Sequence, residues 1–469
     1  MKVEQIYTGC LAQGAYYIES NGEVAIIDPL REVTPYLEKA QKDNAQIKYI
    51  FETHFHADFV SGHITLSEKT GAPIVFGPNA NPQFEAHIAN DNETFNLGEV
   101  VIKAIHTPGH TMESTTYLLF DKDGKEYAIF TGDTLFLGDV GRPDLAQKMN
   151  ELTMDDLAGY LYDSLRNKIM PLPDHVIVYP AHGAGSACGK KMMKETVDLL
   201  GNQKKINYAL RADMTKEEFI KEVTDGLEAP PGYFPLNVKL NKEGYPSIQK
   251  VILDGLKPIS PNDFEVIANE TNAIMLDVRT SEDFAKGHIP NSIFIGLDGS
   301  FAPWVGELIV DIQQPIILIV PQGREQEAIT RLSRVGFDNT LGFLEGGFES
   351  WKQAGKEIDT VTSIPAETLE GVYQEINPAI FDVRKQSEYL SEHIKKAQNT
   401  PLTEINDHLA EFPKEDTFYI HCAGGYRSMI AASILKSRGF HNLIDVQKGY
   451  KAISQTSIPK TDYVCPSTL

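Results

Sequence analysis

The first 240 residues alternate short apolar segments with polar turns and amphipathic stretches, a pattern typical of a mixed α/β fold. An Asn21-Gly22 pair separates the first two strand-like segments and is a strong signal for a hairpin turn. The predicted strands are residues 3–18, 24–28, 49–51, 73–76, 100–105, 115–120, 127–130 and 176–179. The predicted helices are residues 34–42, 65–69, 154–167 and 190–203.

The amino-acid composition changes at residues 244–261. This segment contains several Pro and Gly residues that break regular structure, which predicts a linker. Beyond it the sequence repeats itself: Leu-Asp-Val-Arg at 276–279 returns as Phe-Asp-Val-Arg at 381–384. A repeat of this length indicates a duplicated domain, and each copy has the strand–helix alternation of a small parallel sheet. We therefore expect three domains, at residues 1–243, 258–358 and 364–460.

Net charge, apolar runs and cysteine content limit the classes of partner and the compartments that are expected for this protein. The formal net charge of −22 argues against nucleic acid and against an anionic membrane surface. The apolar runs are far shorter than the roughly 20 residues that span a bilayer, and the first residues lack the apolar core of a signal peptide. Four cysteines in 469 residues do not make a disulfide framework, so we expect a cytoplasmic protein. These cysteines are Cys10, Cys188, Cys422 and Cys465.

Side chains that can bind a metal follow four of the apolar segments in the first domain. Imidazoles and carboxylates packed together at strand ends are costly to bury unless something binds them, and the usual ligand is a metal ion. The candidates are His54, His56, Asp58, His110, Asp133 and His182. Cys10 and Cys188 are expected to be small buried hydrophobic residues rather than parts of this set.

The Thr-His-x-His-x-Asp pattern at 53–58, followed in order by His110, Asp133 and His182, resembles the metallo-β-lactamase superfamily. The resemblance implies a four-layer αβ/βα sandwich. Two-metal hydrolases of the superfamily carry a further His after the last Asp of the pattern, where this chain has Phe59. Without that ligand, one ion held by two imidazoles and a carboxylate becomes the favoured arrangement, which is typical of non-haem Fe(II) oxygenases.

Two further motifs, Gly141-Arg142-x-Asp144 and the Ala-His-Gly-Ala-Gly-Ser stretch at 181–186, resemble the persulfide dioxygenase subgroup. That resemblance implies one Fe(II) per chain. Its expected ligands are His54, His110 and Asp133, while His56, Asp58 and His182 orient ligands and substrate. Arg142 has two open roles, binding an anionic substrate tail or bracing its own loop through Asp144.

The second repeat contains a Cys at the start of a Gly-rich loop that leads into a predicted helix. Converging backbone N–H groups and the positive helix end stabilise a thiolate or the outer sulfur of a persulfide there. The loop comprises Cys422, Ala423, Gly424, Gly425, Tyr426, Arg427 and Ser428, and both repeats resemble the rhodanese family. The resemblance assigns the sulfur-carrying role to Cys422, with Arg427 adding positive charge.

The first repeat has Val320-Pro321-Gln322-Gly323-Arg324 at the corresponding position, and the sequence contains no Cys between Cys188 and Cys422. This copy therefore cannot carry a persulfide. We expect an inactive rhodanese homology domain that holds the other domains in register or lines a shared cleft.

Together the resemblances imply an enzyme that oxidises a low-molecular-weight thiol persulfide with O₂ to sulfite and thiol. Cys422 would then transfer a sulfane sulfur to sulfite, giving thiosulfate, as in sulfide detoxification. One alternative is a zinc-dependent thioester hydrolase of the glyoxalase II type with an attached sulfurtransferase. A second alternative is a non-catalytic sulfur-relay protein. We also expect a homo-oligomer, and the identity of the thiol carrier stays open.

Overall fold

A computed structural model describes residues 1–145 and 152–465. The chain divides into two compact units, Met1–Lys250 with Leu332–Phe337 and Val251–Arg331 with Asp338–Leu469. Within the described residues, no helix is both long and apolar enough to cross a membrane.

The first unit is built on two six-stranded sheets. The first sheet has the spatial order β1 to β6, with strands at Lys2–Thr8, Gln13–Ser20, Glu23–Ile27, Gln46–Phe51, Ile74–Phe76 and His87–Ile88. The second has the spatial order β12 to β7, and β7 to β12 are Thr94–Leu97, Val100–His106, Thr115–Phe120, Glu126–Gly132, Ile177–Pro180 and Asp198–Leu199.

The helices in the described part of the first unit are α1 (Thr34–Lys42), α2 (His63–Thr70), α3 (Met154–Ser164), α4 (Leu200–Ile206), α5 (Lys216–Thr224) and α6 (Phe234–Glu243). A further helix, α7 (Ile248–Gly255), begins in the first unit and ends in the second. A π-helical turn at Leu165–Ile169 continues α3, and a 3₁₀ turn spans Tyr208–Leu210.

Three apolar layers hold the first unit together. Phe51 and Tyr117 belong to the central layer between the two sheets. Tyr36 of α1 and Leu66 of α2 pack on the outer face of the first sheet, and Leu161 of α3 belongs to the layer outside the second. Burial of both faces of each sheet explains why the strands are almost continuously apolar. The expected four-layer αβ/βα sandwich is therefore confirmed.

Three local expectations are corrected. The segment predicted as one strand forms β1 and β2, because the chain turns at residues 9–12, where Ala12 has a φ of 49°. The predicted helix at 190–203 is absent except for its last residues. Residues 198–199 form β12 instead, which pairs with β11, and the Leu200 N–H donates to the Val176 carbonyl (2.8 Å), so the backbone of this segment bonds to the second sheet. The predicted linker contains α7.

The second unit contains two five-stranded parallel sheets with the same strand order. The strands of the first are β13 to β17 at Pro258–Ile259, Ile274–Asp277, Ile293–Phe294, Ile316–Ile319 and Thr340–Leu344, in the spatial order β13-β17-β16-β14-β15. Those of the second are β18 to β22 at Thr362–Ile364, Ala379–Asp382, Gln398–Asn399, Phe418–His421 and Leu443–Val446, in the spatial order β18-β22-β21-β19-β20.

The helices of the two repeats follow the strands in the same alternation. The first repeat has α8 (Pro261–Glu270), α9 (Ser281–Lys286), α10 (Phe301–Leu308), α11 (Glu325–Arg334) and α12 (Gly347–Gln353). The second has α13 (Ala366–Glu375), α14 (Gln386–Ser391), α15 (Tyr426–Ser437) and α16 (Gly449–Ile453), with 3₁₀ turns at Leu402–Glu404 and Leu409–Glu411.

The repeated Asp-Val-Arg motif forms the same brace in each copy. Arg279 donates two hydrogen bonds to Asp277 and one to a backbone carbonyl, and its guanidinium lies 4.2 Å from the centre of the Phe348 ring. Arg384 repeats these contacts with Asp382 and lies 4.0 Å from the Tyr450 ring centre. The motif therefore has a structural role in both repeats.

Gly109 fixes the loop after β8 against α3. Its φ is +146°, and a Cβ at this position would lie 2.4 Å from the backbone N and Cα of Leu161. The Ser164 hydroxyl adds a hydrogen bond of 2.7 Å to the carbonyl of Pro108. Because His110 comes next in the chain, this close approach determines where its imidazole lies.

We expect Gly109→Ala to destabilise the first unit by about 1–3 kcal/mol, because the methyl group meets helix backbone that cannot rotate away. The measurement is the urea midpoint of the first unit. Gly9→Ala is the matched control, since a Cβ there has no atom within 4 Å. Equal midpoints for the two variants would contradict the proposed close packing.

Candidate metal centre and cysteine loop

Four strand ends of the first unit bring the candidate ligands together. His54, His56 and Asp58 follow β4. His110 follows β8, Asp133 follows β10 and His182 follows β11. The ligand atoms of His54, His110 and Asp133 lie within 4.8 Å of one another, and all three residues are buried. His56, Asp58 and His182 form a second buried group with the same spacing.

Hydrogen bonds at Nδ1 orient three imidazoles. The Nδ1–H of His110 donates to the Arg142 carbonyl (2.8 Å), and that of His182 to the Ala12 carbonyl (3.3 Å). The Nδ1–H of His54 donates to the Thr53 hydroxyl (3.0 Å). This arrangement leaves each Nε2 as an unprotonated acceptor, which is the form that binds metal.

The free Nε2 atoms face one carboxylate. Asp133 lies 3.9 Å from His54 Nε2, 3.4 Å from His110 Nε2 and 3.6 Å from His182 Nε2. Metal bonds of about 2.1 Å place neighbouring ligand atoms roughly 3–4 Å apart, so these separations suit a shared ion. Both carboxylate oxygens of Asp133 are buried without a hydrogen-bond partner in the described part of the chain. The residues present therefore fit a metal ion.

Protonation supports the same assignment for His54. Burial and the neighbouring imidazoles of His56, His110 and His182 hold the pKa of His54 well below its usual range. Its ring is therefore neutral near pH 7 and can bind a cation.

His56 has a different environment. Its Nε2 lies 3.1 Å from Asp28 and 3.5 Å from Glu52, both buried. Burial lowers its pKa, but these carboxylates more than offset that effect and raise the pKa to about 9. The Phe59 ring packs on the imidazole with ring centres 4.3 Å apart. A charged, ion-paired imidazole is a poor metal ligand, so His56 is less available than His54.

Sequence reasoning missed the support beneath these rings. The Asp28 carboxylate accepts hydrogen bonds from the Thr53 N–H (2.8 Å) and hydroxyl (2.9 Å), and Thr53 in turn holds His54. Glu52 accepts a hydrogen bond of 2.5 Å from Ser61. The sequence contains one indication of this support: Asp28 and Glu52 are charged residues directly after buried strands.

Cys188 is the other residue whose position the sequence did not indicate. Its sulfur belongs to a group with Asp133 and His182 in which all ligand atoms lie within 4.8 Å. Burial, together with the carboxylates of Asp58 and Asp133, raises the pKa of the Cys188 thiol well above its usual value. The thiol is therefore protonated near pH 7. Cys10 is partly exposed rather than buried.

Arg142 braces its own loop in this structure. Its guanidinium donates two hydrogen bonds to Asp144 (2.7 and 2.8 Å) and another to the Ala187 carbonyl (3.2 Å). These contacts favour bracing over substrate binding. A cavity of about 460 Å³ next to His110 is instead lined by residues that include Phe55, Asn79, Tyr160 and Lys242. Its size suits a small thiol.

The cysteine loop of the second repeat places Cys422 between β21 and α15. The Gly425 N–H donates to the Cys422 sulfur at 3.1 Å, and Gly425 has a φ of +105°, which glycine adopts without strain. From the other side, the carbonyl of Cys422 accepts the Tyr450 N–H at 2.7 Å. The sulfur is thus held at a backbone donor in front of a helix N-terminus.

An ion pair and a buried carboxyl group border this loop. Arg427 donates to both carboxylate oxygens of Glu388 (2.6 and 2.8 Å), which fixes its positive charge near the loop. Asp445 is buried beside Ser428 and accepts a hydrogen bond of 3.2 Å from Ser363. Burial raises the pKa of the Asp445 carboxyl to about 6.

The loop of the first repeat that corresponds to the cysteine loop makes different contacts. Val320 is buried where the cysteine would lie, and Arg324 forms ion pairs with Asp298 (2.9 Å) and Glu327 (2.7 Å).

Family models match both parts of the chain. Residues 8–182 match the metallo-beta-lactamase superfamily, and residues 260–354 and 365–456 match the rhodanese-like domain. A solved metallo-beta-lactamase from Staphylococcus aureus subsp. aureus COL is similar, with 30% identity and a TM-score of 0.65. The match covers 74% of this chain and 99% of that one.

Two kinds of enzyme occur among the similar curated proteins. Persulfide dioxygenase ETHE1 of Bos taurus is 31% identical over 216 residues, 44% of this chain and 73% of the relative. A probable hydroxyacylglutathione hydrolase of Schizosaccharomyces pombe is 30% identical over 167 residues, 35% of this chain and 60% of the relative. The chain spans 58 to 65% of the length of three such hydrolases.

The chain therefore belongs to the metallo-β-lactamase superfamily, and two rhodanese-like domains follow its lactamase-type domain. Within that class it is a relative of the persulfide dioxygenases, as the motifs after Asp133 predicted. The resemblances to both families are thus confirmed.

Asp445 gives a pH-dependent prediction. A carboxyl whose folded-state pKa is raised from 3.8 to about 6 loses stability as pH rises through that window, because the unfolded chain ionises first. Asp445→Asn should therefore stabilise the second unit at pH 7.5 by about 1–3 kcal/mol, and by much less at pH 4. Urea midpoints at the two pH values measure this. The same gain at both would contradict the burial of a charged Asp445.

Proposed function

We propose that the first domain is a persulfide dioxygenase with one Fe(II) held by His54, His110 and Asp133. The observation that carries the proposal is the division of the six candidate ligands. His54, His110 and Asp133 present Nε2 and carboxylate atoms to one point, whereas the Nε2 of His182 also faces Asp58 at 3.5 Å. His56 is paired with buried carboxylates, and Phe59 stands where a second ion needs a ligand. Two imidazoles and one carboxylate are the ligand set of mononuclear Fe(II) oxygenases.

The proposed reaction balances without a further oxidant. One thiol persulfide, one O₂ and one water give one thiol, one sulfite and two protons. A ferrous ion held here would supply the redox chemistry that lets O₂ react with the outer sulfur of the persulfide. The chain contributes position: the Nδ1 hydrogen bonds fix the imidazoles, and Asp58 and His182 lie 3.5 Å apart beside them, where they orient the substrate.

The cavity next to His110 is the proposed path for the substrate. Its described lining combines apolar Phe55 and Val238 with polar Asn79 and the cation of Lys242. Such a lining suits a small thiol persulfide that has both apolar and charged parts.

The last domain is proposed to carry sulfur on Cys422. Its thiolate attacks the outer sulfur of a thiol persulfide, the original S–S bond breaks, and the free thiolate leaves. Sulfite then attacks the outer sulfur of the Cys422 persulfide, which releases thiosulfate and restores the thiolate. The Gly425 N–H and the nearby Arg427 stabilise the negative sulfur in both steps.

Sulfite links the two activities, because the first domain makes it and the last consumes it. We propose that the protein detoxifies sulfide as a homo-oligomer in the cytoplasm, without nucleic acid or membrane partners.

A zinc-dependent thioester hydrolase is the second candidate. It is favoured by the similarity to hydroxyacylglutathione hydrolases and by the second buried group of His56, Asp58 and His182. Metal content and O₂ use separate the two candidates, because hydrolysis needs zinc and no O₂.

His110→Ala should remove iron and lower O₂ consumption by on the order of 100-fold or more, because it deletes one of three ligands. Metal analysis after anaerobic purification and an oxygen electrode measure both effects. His106→Ala is the matched control: its Nε2 only contacts the Met112 carbonyl at 2.8 Å, so both properties should persist. Two zinc ions with thioesterase activity in the native protein would contradict the proposal.

Cys422→Ser should separate the two chemistries, because an alkoxide cannot hold a sulfane sulfur. The variant should keep O₂ uptake with a persulfide substrate and accumulate sulfite, whereas the native protein yields mainly thiosulfate. Chromatography of the sulfur products gives the result. Cys465→Ser, at an exposed position, is the control and should behave like the native protein. As much thiosulfate from Cys422→Ser as from the native protein would exclude this sulfur carrier.

A further inference from the structure

The helix that follows the cysteine loop is buried along most of its length. Every residue from Ser428 to Lys436 in α15 is buried. A helix on the surface of one small sheet would expose one face. Another part of the second unit must therefore cover α15, and its contacts identify the inactive repeat as that part.

The inactive repeat and the segment that follows it contact α15 at three positions along its length. The Tyr426 hydroxyl donates to the Gly296 carbonyl at 2.7 Å. The Ser433 hydroxyl accepts the N–H of Phe294, in edge strand β15, at 3.0 Å. Lys436 lies 3.0 Å from Asp359, in the segment between the repeats. Spacings of seven and three residues place these side chains on one face of the helix.

Tyr426 is the contact nearest to the reactive sulfur. It is the first residue of α15 and directly follows Gly425, whose N–H donates to the Cys422 sulfur. Its ring lies 5.9 Å from the Phe294 ring, centre to centre, and a Cβ on Gly299 would lie 2.7 Å from it. The inactive repeat therefore forms a socket of Phe294, Gly296 and Gly299 around this tyrosine.

We propose that the inactive repeat positions the cysteine loop through this socket, with Tyr426 as the positioning residue. This inference rests on the proposed sulfur transfer at Cys422. A backbone N–H stabilises a negative sulfur only when its direction is fixed, and α15 begins one residue after that N–H. Anchoring the first turn of α15 from outside its own domain keeps the Gly425 N–H aimed at the sulfur.

This role explains how a rhodanese copy without a cysteine contributes to catalysis. It needs no reactive group. It needs only a carbonyl at the right place and a residue without a side chain at position 299, both of which it supplies.

The test uses the full-length protein. Tyr426→Phe removes only the hydroxyl, and we expect kcat for thiosulfate formation to fall about three- to tenfold with KM within twofold of native. The rate at which iodoacetamide alkylates Cys422 at pH 7, followed by mass spectrometry of the labelled peptide, should fall by a similar factor. Tyr463→Phe, at an exposed tyrosine of the same unit, should change neither.

A second variant approaches the socket from the inactive repeat. Gly299→Ala must displace the Tyr426 ring, so it should reproduce both losses and add little to Tyr426→Phe in the double variant. Gly371→Ala is its control, because a Cβ there meets open space. Ser433→Ala, further along α15, should lower the unfolding midpoint without changing the alkylation rate.

The alkylation rate also separates this inference from the proposed sulfur transfer. Native alkylation and turnover rates in folded Tyr426→Phe and Gly299→Ala would overturn the positioning role. A native protein without sulfurtransferase activity whose Cys422 alkylation still slows in both variants would refute the sulfur transfer and leave the positioning role intact. Equal loss of alkylation in Ser433→Ala would reduce Tyr426 to a general packing contact and overturn the proposal.

Discussion

The first unit depends on the desolvation of ionisable groups at the ends of its strands. Asp133 and three imidazoles are buried with separations below 4 Å, an arrangement that apolar packing alone would disfavour. Backbone carbonyls and Thr53 satisfy the Nδ1 side of each ring, and this leaves the Nε2 side for a metal. The two sheets and their helices therefore hold the first residues of four loops, those after β4, β8, β10 and β11, close together. Because the loop after β8 must lie against the backbone of α3, position 109 has no room for a side chain.

The same principle separates the two candidate ligand groups. His54 and His56 are two residues apart, yet one is neutral and the other is held charged by Asp28 and Glu52. The difference arises from Asp28, which follows the neighbouring strand β3, from Glu52, four residues before His56, and from Phe59, which packs beside His56. The proposed mononuclear site uses the group of His54, His110 and Asp133, whereas the hydrolase alternative requires His56 to exchange its carboxylate partners for a metal.

The duplicated domains show which parts of a repeat are structural and which are chemical. Both copies keep the Asp-Val-Arg brace, down to the aromatic ring beneath the guanidinium. They differ at the loop after the fourth strand in chain order, where one has Cys422 and the other Val320. The copy without the cysteine contacts α15 through its edge strand and through the Gly296 carbonyl, so what it supplies there is packing and a hydrogen-bond acceptor rather than a reactive group.

The amino-acid sequence by itself determined the fold class, the duplication, the six candidate ligands and the candidate cysteine for sulfur transfer, because each depends on local pattern: apolar runs, turn residues and motifs at strand ends. It failed at residues 190–203, where part of a segment with helical composition forms β12 against β11, and at residues 3–18, where one predicted strand is two. Only the tertiary structure decided how the ligands divide into groups, where Cys188 lies and what Tyr426 touches. Each of these depends on contacts between residues far apart in the chain, and a local pattern carries no information about which distant partner will neutralise a charge or accept a hydrogen bond.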